Sequence, residues 1–152
     1  MPTITPFLWF DSQAEEAMNF YASIFKRSGV LSVSRAQGRV MSVQFELEGQ
    51  TLIGLNGGPQ FKFSEAVSLL VSCETQQEID DYWGKLIADG GAPSRCGWLK
   101  DKFGLSWQII PTNLGKLLGG DGDSARAGRV MQAMLQMNKL DLRELQRAYD
   151  GA

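Results

Sequence analysis

The stretch from Thr3 to Lys26, TITPFLWF-DS-QAEEAMNFYASIFK, predicts a strand, a polar break and an amphipathic helix. The same plan returns sixty-two positions later, where Leu69-Leu70-Val71 aligns without a gap with Phe7-Leu8-Trp9. The match continues into the helix, where Tyr82-Trp83 aligns with Phe20-Tyr21. Large apolar side chains at a fixed period indicate an internal duplication. The alternative is that any two strand–helix units look alike.

Glycine-containing turns divide the rest of the first module into three predicted strands. Gln37-Gly38 and Glu48-Gly49 supply the turns, because glycine tolerates positive φ. The predicted strands are Val30–Ala36, Val40–Leu47 and Thr51–Leu55. Asn56-Gly57-Gly58-Pro59 ends the module, and Asp11 and Ser12 offer oxygens to the N-terminus of its helix.

The second module repeats the β-α-β-β-β plan with shorter middle strands. Its first strand is predicted over Ala66–Cys73 and its helix over Gln76–Ala88. Two or three short strands follow, among them Gly97–Lys100 and Leu105–Ile110, with the turn Asp101-Lys102-Phe103-Gly104 between them. Both modules together predict an α+β fold.

A helical extension follows the repeats. A Gly/Asp linker, Gly119 to Gly122, precedes a predicted helix with an apolar, Met-rich stripe. The stripe residues are Val130, Met131, Met134, Leu135 and Met137. Asp141, with Glu144 three residues later, resembles a capping box that begins a last helix.

Composition excludes several functional classes. The 152 residues suit a single domain, 1–152, and the net charge of −2 without charge runs argues against nucleic acid. No apolar stretch approaches the roughly 20 residues of a membrane helix, and no basic segment precedes the apolar N-terminus. We therefore expect a cytoplasmic protein whose Cys73 and Cys96 are free thiols. The chain has no histidine, the commonest metal ligand and general base near neutral pH.

Five segments resemble a known family. They are TPFLWFD, EEAMNFYASIF, LNGGPQFKF, CGWLKDKFGLSWQIIP and RVMQAMLQM. Together with the doubled β-α-β-β-β unit, they are similar to the vicinal oxygen chelate superfamily, which includes glyoxalase I, extradiol dioxygenases and bleomycin-resistance proteins. Within it they resemble the bacterial family labelled 3-demethylubiquinone-9 3-methyltransferase. The resemblance implies two curled half-barrels, module one over 1–59 and module two over 64–112, with an extension over 113–152.

The half-barrels and the two-residue strand period predict which side chains face the interior. The helix-facing set would be Phe7, Trp9, Leu69, Val71, Trp107 and Ile109. The interior set would be Leu8, Phe10, Ser68, Leu70, Ser106, Gln108 and Ile110. A one-residue slip would exchange the two sets. The predicted ligand-binding residues are Leu8, Phe10, Asn56, Ser68, Leu70, Trp98, Ser106 and Gln108.

The resemblance also implies where a metal would lie in this superfamily. The first-strand ligand positions fall on Pro6 and Ser68, and the last-strand positions on Asn56 and Gln108. Proline has no donor atom, and hydroxyls and neutral amides are weak ligands for Zn²⁺ or Fe²⁺. We therefore expect no metal. We also expect no S-adenosylmethionine, because Asn56-Gly57-Gly58-Pro59 does not open a helix as a cofactor loop would. No cofactor is predicted.

Catalytic candidates are few and weak. Cys96 could be a nucleophile if Arg95 or Lys100 lowered its pKa, but a small strand residue is the simpler interpretation. Glu46 alternates with Phe45 and could enter the barrel, or it could lie on a solvated strand face. Lys62 and Lys100 could attract an anion, although exposed lysines are the default.

The sequence therefore predicts a metal-free binding protein for a small, partly apolar molecule, held in a cleft between the sheets. The alternative is an enzyme of unknown chemistry acting on a ligand in the same cleft, such as the labelled methyltransferase. A further alternative is an interaction module with a vestigial cleft. Because the Met-rich stripe lies outside both repeats, we also expect a homodimer.

Overall fold

The structure is a computed structural model that describes residues 1–120 and 122–152. It divides into two compact units, Met1–Phe63 and Ser64–Ala152, which are described in turn. Part of the predicted linker, Asp121, lies outside the described residues. The boundaries 1–59, 64–112 and 113–152, and their union in one domain, stay predictions.

The first unit has the predicted β-α-β-β-β order. Its elements are β1 (Phe7–Phe10), α1 (Ala14–Ile24), β2 (Ser28–Ala36), β3 (Arg39–Leu47) and β4 (Gln50–Asn56). The sheet order is β1-β4-β3-β2, with β1 parallel to β4 and the other pairs antiparallel. Both central residues of each hairpin turn, Gln37-Gly38 and Glu48-Gly49, have positive φ, as the predicted turns require.

One face of this sheet is covered by α1. Ala14, Ala17, Met18, Tyr21 and Ile24 of the helix are all buried, as its apolar periodicity predicts. Tyr21 stacks on Phe45 of β3, with ring centroids 6.2 Å apart. The strand residues on this face are Leu8, Phe10, Val43, Phe45, Leu47 and Leu52, and all are buried.

The second unit repeats this order with a longer first strand and three shorter later strands. Its elements are β5 (Ser68–Cys73), α2 (Gln76–Leu86), β6 (Ala92–Pro93), β7 (Trp98–Lys100) and β8 (Ser106–Pro111). The sheet order is β5-β8-β7-β6, with β5 parallel to β8. The α+β prediction is confirmed as two four-stranded mixed sheets, one in each unit.

The C-terminal extension forms an irregular turn at Lys116–Gly120, then α3 (Ser124–Met134) and α4 (Leu142–Asp150). It has its own core, made of Leu114, Leu117, Val130, Met134, Leu140 and Leu145. The side chain of Gln76, at the start of α2, anchors the extension. Its Nε2 donates to the Leu140 carbonyl, and its Oε1 accepts from the Leu142 N–H. The Asp141 side chain accepts from the Glu144 N–H, while the Glu144 side chain pairs with Arg147 instead of completing a capping box.

The predicted facing of β1 is wrong, and that of β8 is right. Leu8 and Phe10 are buried on the α1 side, and Phe7 is 59% exposed. In the second unit, Trp107 and Ile109 are buried as predicted. The two first strands face differently because the connections that follow them differ in length. Three residues join β1 to α1, whereas two residues join β5 to α2. The repeats therefore need a one-residue gap, and this gap exchanges the two faces of β1.

Among the described residues, no helix combines the length and the apolarity needed to cross a bilayer.

Candidate functional site

The face of the first sheet opposite α1 combines an apolar patch with a polar one. Register places Phe7 beside Ile53, which lies beside Gln44 on its other side, and places Trp9 beside Leu55. Phe61, in the loop after β4, adds an edge-to-face contact with Trp9 at a centroid distance of 4.9 Å. The polar part of the face is contributed by Ser42, Gln44 and Glu46 of β3. Apolar side chains beside a few polar groups are typical of small-molecule sites.

The loop after β4 is held by bonds within the protein. Asn56 Oδ1 accepts from the Ala14 N–H at 2.8 Å, and Asn56 Nδ2 donates to the Val40 carbonyl at 3.1 Å. The N–H groups of Gly57 and Gly58 donate to the carbonyls of Phe10 and Asp11. Because these amides are already satisfied, the loop has no free N–H pair at Gly57 and Gly58 for an anionic cofactor. The predicted ligand residue Asn56 likewise has both ends of its amide engaged.

Gly57 is required by a close approach. A Cβ at this position would lie 2.4 Å from the indole ring of Trp9. The same indole donates from Nε1 to the Gly58 carbonyl at 2.9 Å. Packing against Trp9 therefore explains Gly57, and the positive φ of +95° explains Gly58, without a cofactor.

The corresponding open face of the second sheet carries most of the remaining predicted residues. Ser68 pairs in register with Ser106, and Leu70 pairs with Gln108, which in turn pairs with Trp98. Gln108 Nε2 donates to Ser68 Oγ at 2.9 Å. Leu70 is 54% exposed and Trp98 is partly exposed, so both apolar surfaces can be reached from solvent.

The residues at the positions where the family resemblance would place metal ligands do not fit a transition metal. Ser68 and Gln108 present a neutral hydroxyl and a neutral amide that already bond each other. Pro6 offers only its backbone carbonyl, which accepts from the Ile53 N–H. In the described part of the chain, no three His, Cys, Asp or Glu side chains come together as a metal-binding group. Zn²⁺, Fe²⁺ and Mn²⁺ sites are built from such donors.

Cys96 is engaged with the C-terminal extension. Its thiol donates to the Met134 carbonyl at a sulfur–oxygen distance of 3.6 Å, and its backbone N–H donates to the Met137 carbonyl at 2.9 Å. Neighbouring Gly97, with φ of +87°, leaves no room for a Cβ against Ile109, Ile110 and Leu140. Cys96 lies in a turn with φ of +62°, so the predicted strand position is wrong. Its contacts favour a structural role over a nucleophilic one.

The buried carboxylate of Asp101 is a feature that the sequence reasoning missed. Asp101 is 2% exposed. Its Oδ1 accepts from the N–H groups of Phe103 and Leu105, and its Oδ2 accepts from Trp107 Nε1 at 2.9 Å. The D-x-F-G turn is thus organised around one fully hydrogen-bonded carboxylate. The aspartate at the first position of the turn was the sequence feature that could have predicted it.

Of the predicted ligand residues, the structure brings Ser68, Leu70, Trp98 and Gln108 together on the open face of the second sheet. Ser106 lies in the same register but is buried. Leu8 and Phe10 lie under α1, so the geometric basis for their ligand role is lost. Glu46 lies on the open face of the first sheet, opposite in face to Phe45, as expected.

Comparison with known proteins agrees with this architecture. Residues 2–110 match the family described as 3-demethylubiquinone-9 3-methyltransferase. The chain belongs to this family. A Bacillus cereus member described as a 3-demethylubiquinone-9 3-methyltransferase, PhnB protein, is 38% identical, with a TM-score of 0.68. The match covers 73% of this chain and 100% of that protein. A search of curated proteins finds no match.

More distant solved structures share the fold. A glyoxalase/bleomycin resistance protein from Albidiferax ferrireducens is 13% identical, with a TM-score of 0.51 over 70% of this chain and 95% of its own. The fosfomycin resistance protein FosX from Listeria monocytogenes, solved with Mn(II) and sulfate, is 12% identical. Its TM-score is 0.56 over 76% of this chain and 93% of its own. The chain thus shares its fold with a glyoxalase/bleomycin resistance protein and with a fosfomycin resistance protein.

Proposed function

We propose that this member of the family is a metal-free binding protein for a small, partly apolar molecule. The observation that carries the proposal is the Ser68–Gln108 hydrogen bond, flanked by Leu70 and Trp98 on the open face of the second sheet. In that arrangement a ligand gains apolar contact from Leu70 and Trp98. Gln108 and Ser68 fix its orientation through neutral hydrogen bonds.

The donor set supports the metal-free part of the proposal. A divalent metal would need charged or imidazole ligands. The positions where the family resemblance would place metal ligands hold a proline, a serine and two amides, and both amides are hydrogen-bonded within the protein. The Mn(II) in the FosX structure belongs to that protein. At 12% identity, the likeness between FosX and this chain concerns the fold alone.

The alternative is an enzyme of unknown chemistry acting on a ligand at the same face, such as the methyltransferase that the family name states. The name of the family is the observation that favours an enzyme. The amides of Gly57 and Gly58 oppose it, because they are bonded to Phe10 and Asp11.

The test is a thermal-shift screen with quinones, phosphonates, aldehydes and S-adenosylmethionine, followed by titration of the hits. A ligand present at one hundred times its Kd stabilises the native state by about 2.7 kcal/mol, which is a shift of several degrees. We expect a saturable shift with a small, partly apolar compound and none with millimolar S-adenosylmethionine.

A matched pair of variants locates the binding. Gln108→Leu should weaken binding about tenfold, since one lost hydrogen bond costs about 1 kcal/mol or slightly more. Gln136→Leu, on the exposed surface of the extension, should leave binding unchanged. A saturable shift with S-adenosylmethionine would favour the alternative. Equal binding by both variants would show that the ligand does not bind at this face, and would contradict the proposed site.

A further inference from the structure

A pocket of about 270 Å³ lies beside β6, β7 and β8 of the second sheet. Ala92, Pro93 and Trp98 give it apolar walls, and Ser106, Lys100 and Glu65 contribute its polar groups. The volume is slightly below the roughly 300–1,000 Å³ of sites for drug-sized ligands. The pocket therefore suits a compact molecule.

Ser106 carries an unmet hydrogen-bonding requirement in this pocket. The residue is 1% exposed, and its hydroxyl has no hydrogen-bond partner among the described residues. Leaving a buried hydroxyl unpaired costs about 1–3 kcal/mol, so native proteins rarely do it without a reason. A bound ligand that accepts from the hydroxyl would supply the missing partner.

Lys100 lies beside Ser106 on the neighbouring strand. It is the cross-strand partner of Ser106, and both residues line the pocket. Its ammonium forms an ion pair with Glu65, a residue of the loop before β5 that lines the same pocket. The hydrogen bond from Lys100 lowers the pKa of the Glu65 carboxyl.

The ion pair is easily exchanged. The side chains of Lys100 and Glu65 are 42% and 63% exposed, and exposed pairs contribute only about 0–1 kcal/mol. A carboxylate brought by a ligand can therefore take the place of Glu65 on the ammonium at little cost.

We infer that this pocket binds a small monocarboxylate, which replaces Glu65 on Lys100 and accepts a hydrogen bond from the Ser106 hydroxyl. The Glu65 side chain, a propionate in chemical terms, already displays the recognised group. The apolar body of the ligand lies against Trp98, Ala92 and Pro93. The inference rests on the proposed function and assigns a ligand class to the same open face of the second sheet.

The experiment is a titration with benzoate and propionate at constant ionic strength, with chloride as the reference anion. The full chain is labelled with ¹⁵N, and the indole N–H signal of Trp98, assigned with Trp98→Phe, reports occupancy of the pocket. Isothermal titration supplies the Kd. The variants are Glu65→Gln, Lys100→Met and Ser106→Ala, with Lys85→Met on the exposed side of α2 as the control for loss of one positive charge.

We expect benzoate to give a saturable shift of the Trp98 signal and to bind more tightly than propionate. Glu65→Gln should bind at least threefold more tightly, because the internal competitor is gone. Lys100→Met should bind at least tenfold more weakly, and Lys85→Met should match the parent chain. Ser106→Ala should melt at the same temperature as the parent or higher, since the unpaired hydroxyl is removed, and yet bind more weakly.

Equal or weaker binding by Glu65→Gln, or unchanged binding by Lys100→Met, overturns the inference. So does the absence of any Trp98 shift. If a compound from the thermal-shift screen binds with the same Kd to the parent chain and to these variants, the proposed function stands and the carboxylate assignment is wrong. If no compound of any class binds, the proposed function itself falls.

Discussion

The amide oxygen of Asn56, at the end of β4, accepts a hydrogen bond of 2.8 Å from the backbone N–H of Ala14, the first residue of α1. The N-cap residue Gln13 makes no side-chain capping bond of its own. Asn56 therefore caps α1 from a strand 42 positions later in the chain. This bond, rather than a ligand, accounts for the asparagine of the glycine loop.

Asn56→Ala should lower the free energy of unfolding by about 1–3 kcal/mol, because the helix loses its cap and the Val40 carbonyl loses a donor. Urea denaturation followed by circular dichroism measures the change. Asn113→Ala, at an exposed position, is the matched control and should change stability by less than about 0.5 kcal/mol. Unchanged stability of Asn56→Ala would return Asn56 to the list of ligand candidates.

Asp101→Asn should destabilise the second unit by about 1–3 kcal/mol, because an amide cannot accept from all three of the donors that now surround the carboxylate. The bond to Trp107 can be isolated with a double-mutant cycle. In a Trp107→Phe background, which lacks the indole N–H, Asp101→Asn should cost less. Additive costs in the cycle would show that the Trp107 bond contributes nothing.

The buried thiol of Cys73 makes stability depend on alkaline pH. Burial, with a smaller contribution from the Glu78 carboxylate, raises the pKa of Cys73 from 9.0 to about 11. Between these values the unfolded chain has lost the thiol proton and the folded chain retains it. The free energy of unfolding contributed by this group is therefore complete below pH 9 and declines as the pH rises toward 11.

Denaturation curves at pH 8 and pH 10.5 test this dependence. The parent chain and Cys96→Ser should both lose more stability over this interval than Cys73→Ala, which lacks the titrating group. An identical loss in Cys73→Ala would mean that other groups cause it.

The homodimer remains a prediction, with its contact residues revised by the structure. Val130 and Met134 are buried in the core of the extension, whereas Met131 and Leu135 are 40% and 47% exposed. A charge at Met134 would therefore disrupt packing within the chain. Met131→Glu combined with Leu135→Glu tests pairing of two copies without that damage.

Light scattering at micromolar concentration should give twice the 16.8 kDa mass for the parent chain and about the single mass for the double variant. Met41→Glu, at an exposed methionine of β3, should remain dimeric. A monomeric parent chain would refute pairing. A dimeric double variant would exclude α3 as its cause.

Local patterns predicted most of the fold. Strand alternation, helical spacing and glycine turns are properties of neighbouring residues, so the β-α-β-β-β order and the buried face of α1 followed from them. The facing of β1 did not, because it depends on one extra residue in the β1–α1 connection, and the gap-free alignment of the repeats concealed that residue.

The candidate site was predictable only in part. Ser68, Leu70, Trp98 and Gln108 share a face because strand period and register place them there. The roles of Asn56 and Asp101 arise from bonds to backbone groups and to an indole, which composition does not reveal. The unpaired hydroxyl of Ser106 and the pairing of Glu65 with Lys100 depend on tertiary packing, so no sequence pattern signals them.

A calorimetric titration with and without metal shows whether ligand binding needs a metal. A ligand from the thermal-shift screen is titrated by calorimetry into protein stripped with chelator, and again after addition of Mn²⁺, Zn²⁺ or Fe²⁺. We expect the same Kd within about twofold in every case, because neutral groups and apolar surface supply the contacts. Binding that vanishes in the stripped protein and returns with a stoichiometric metal would contradict it.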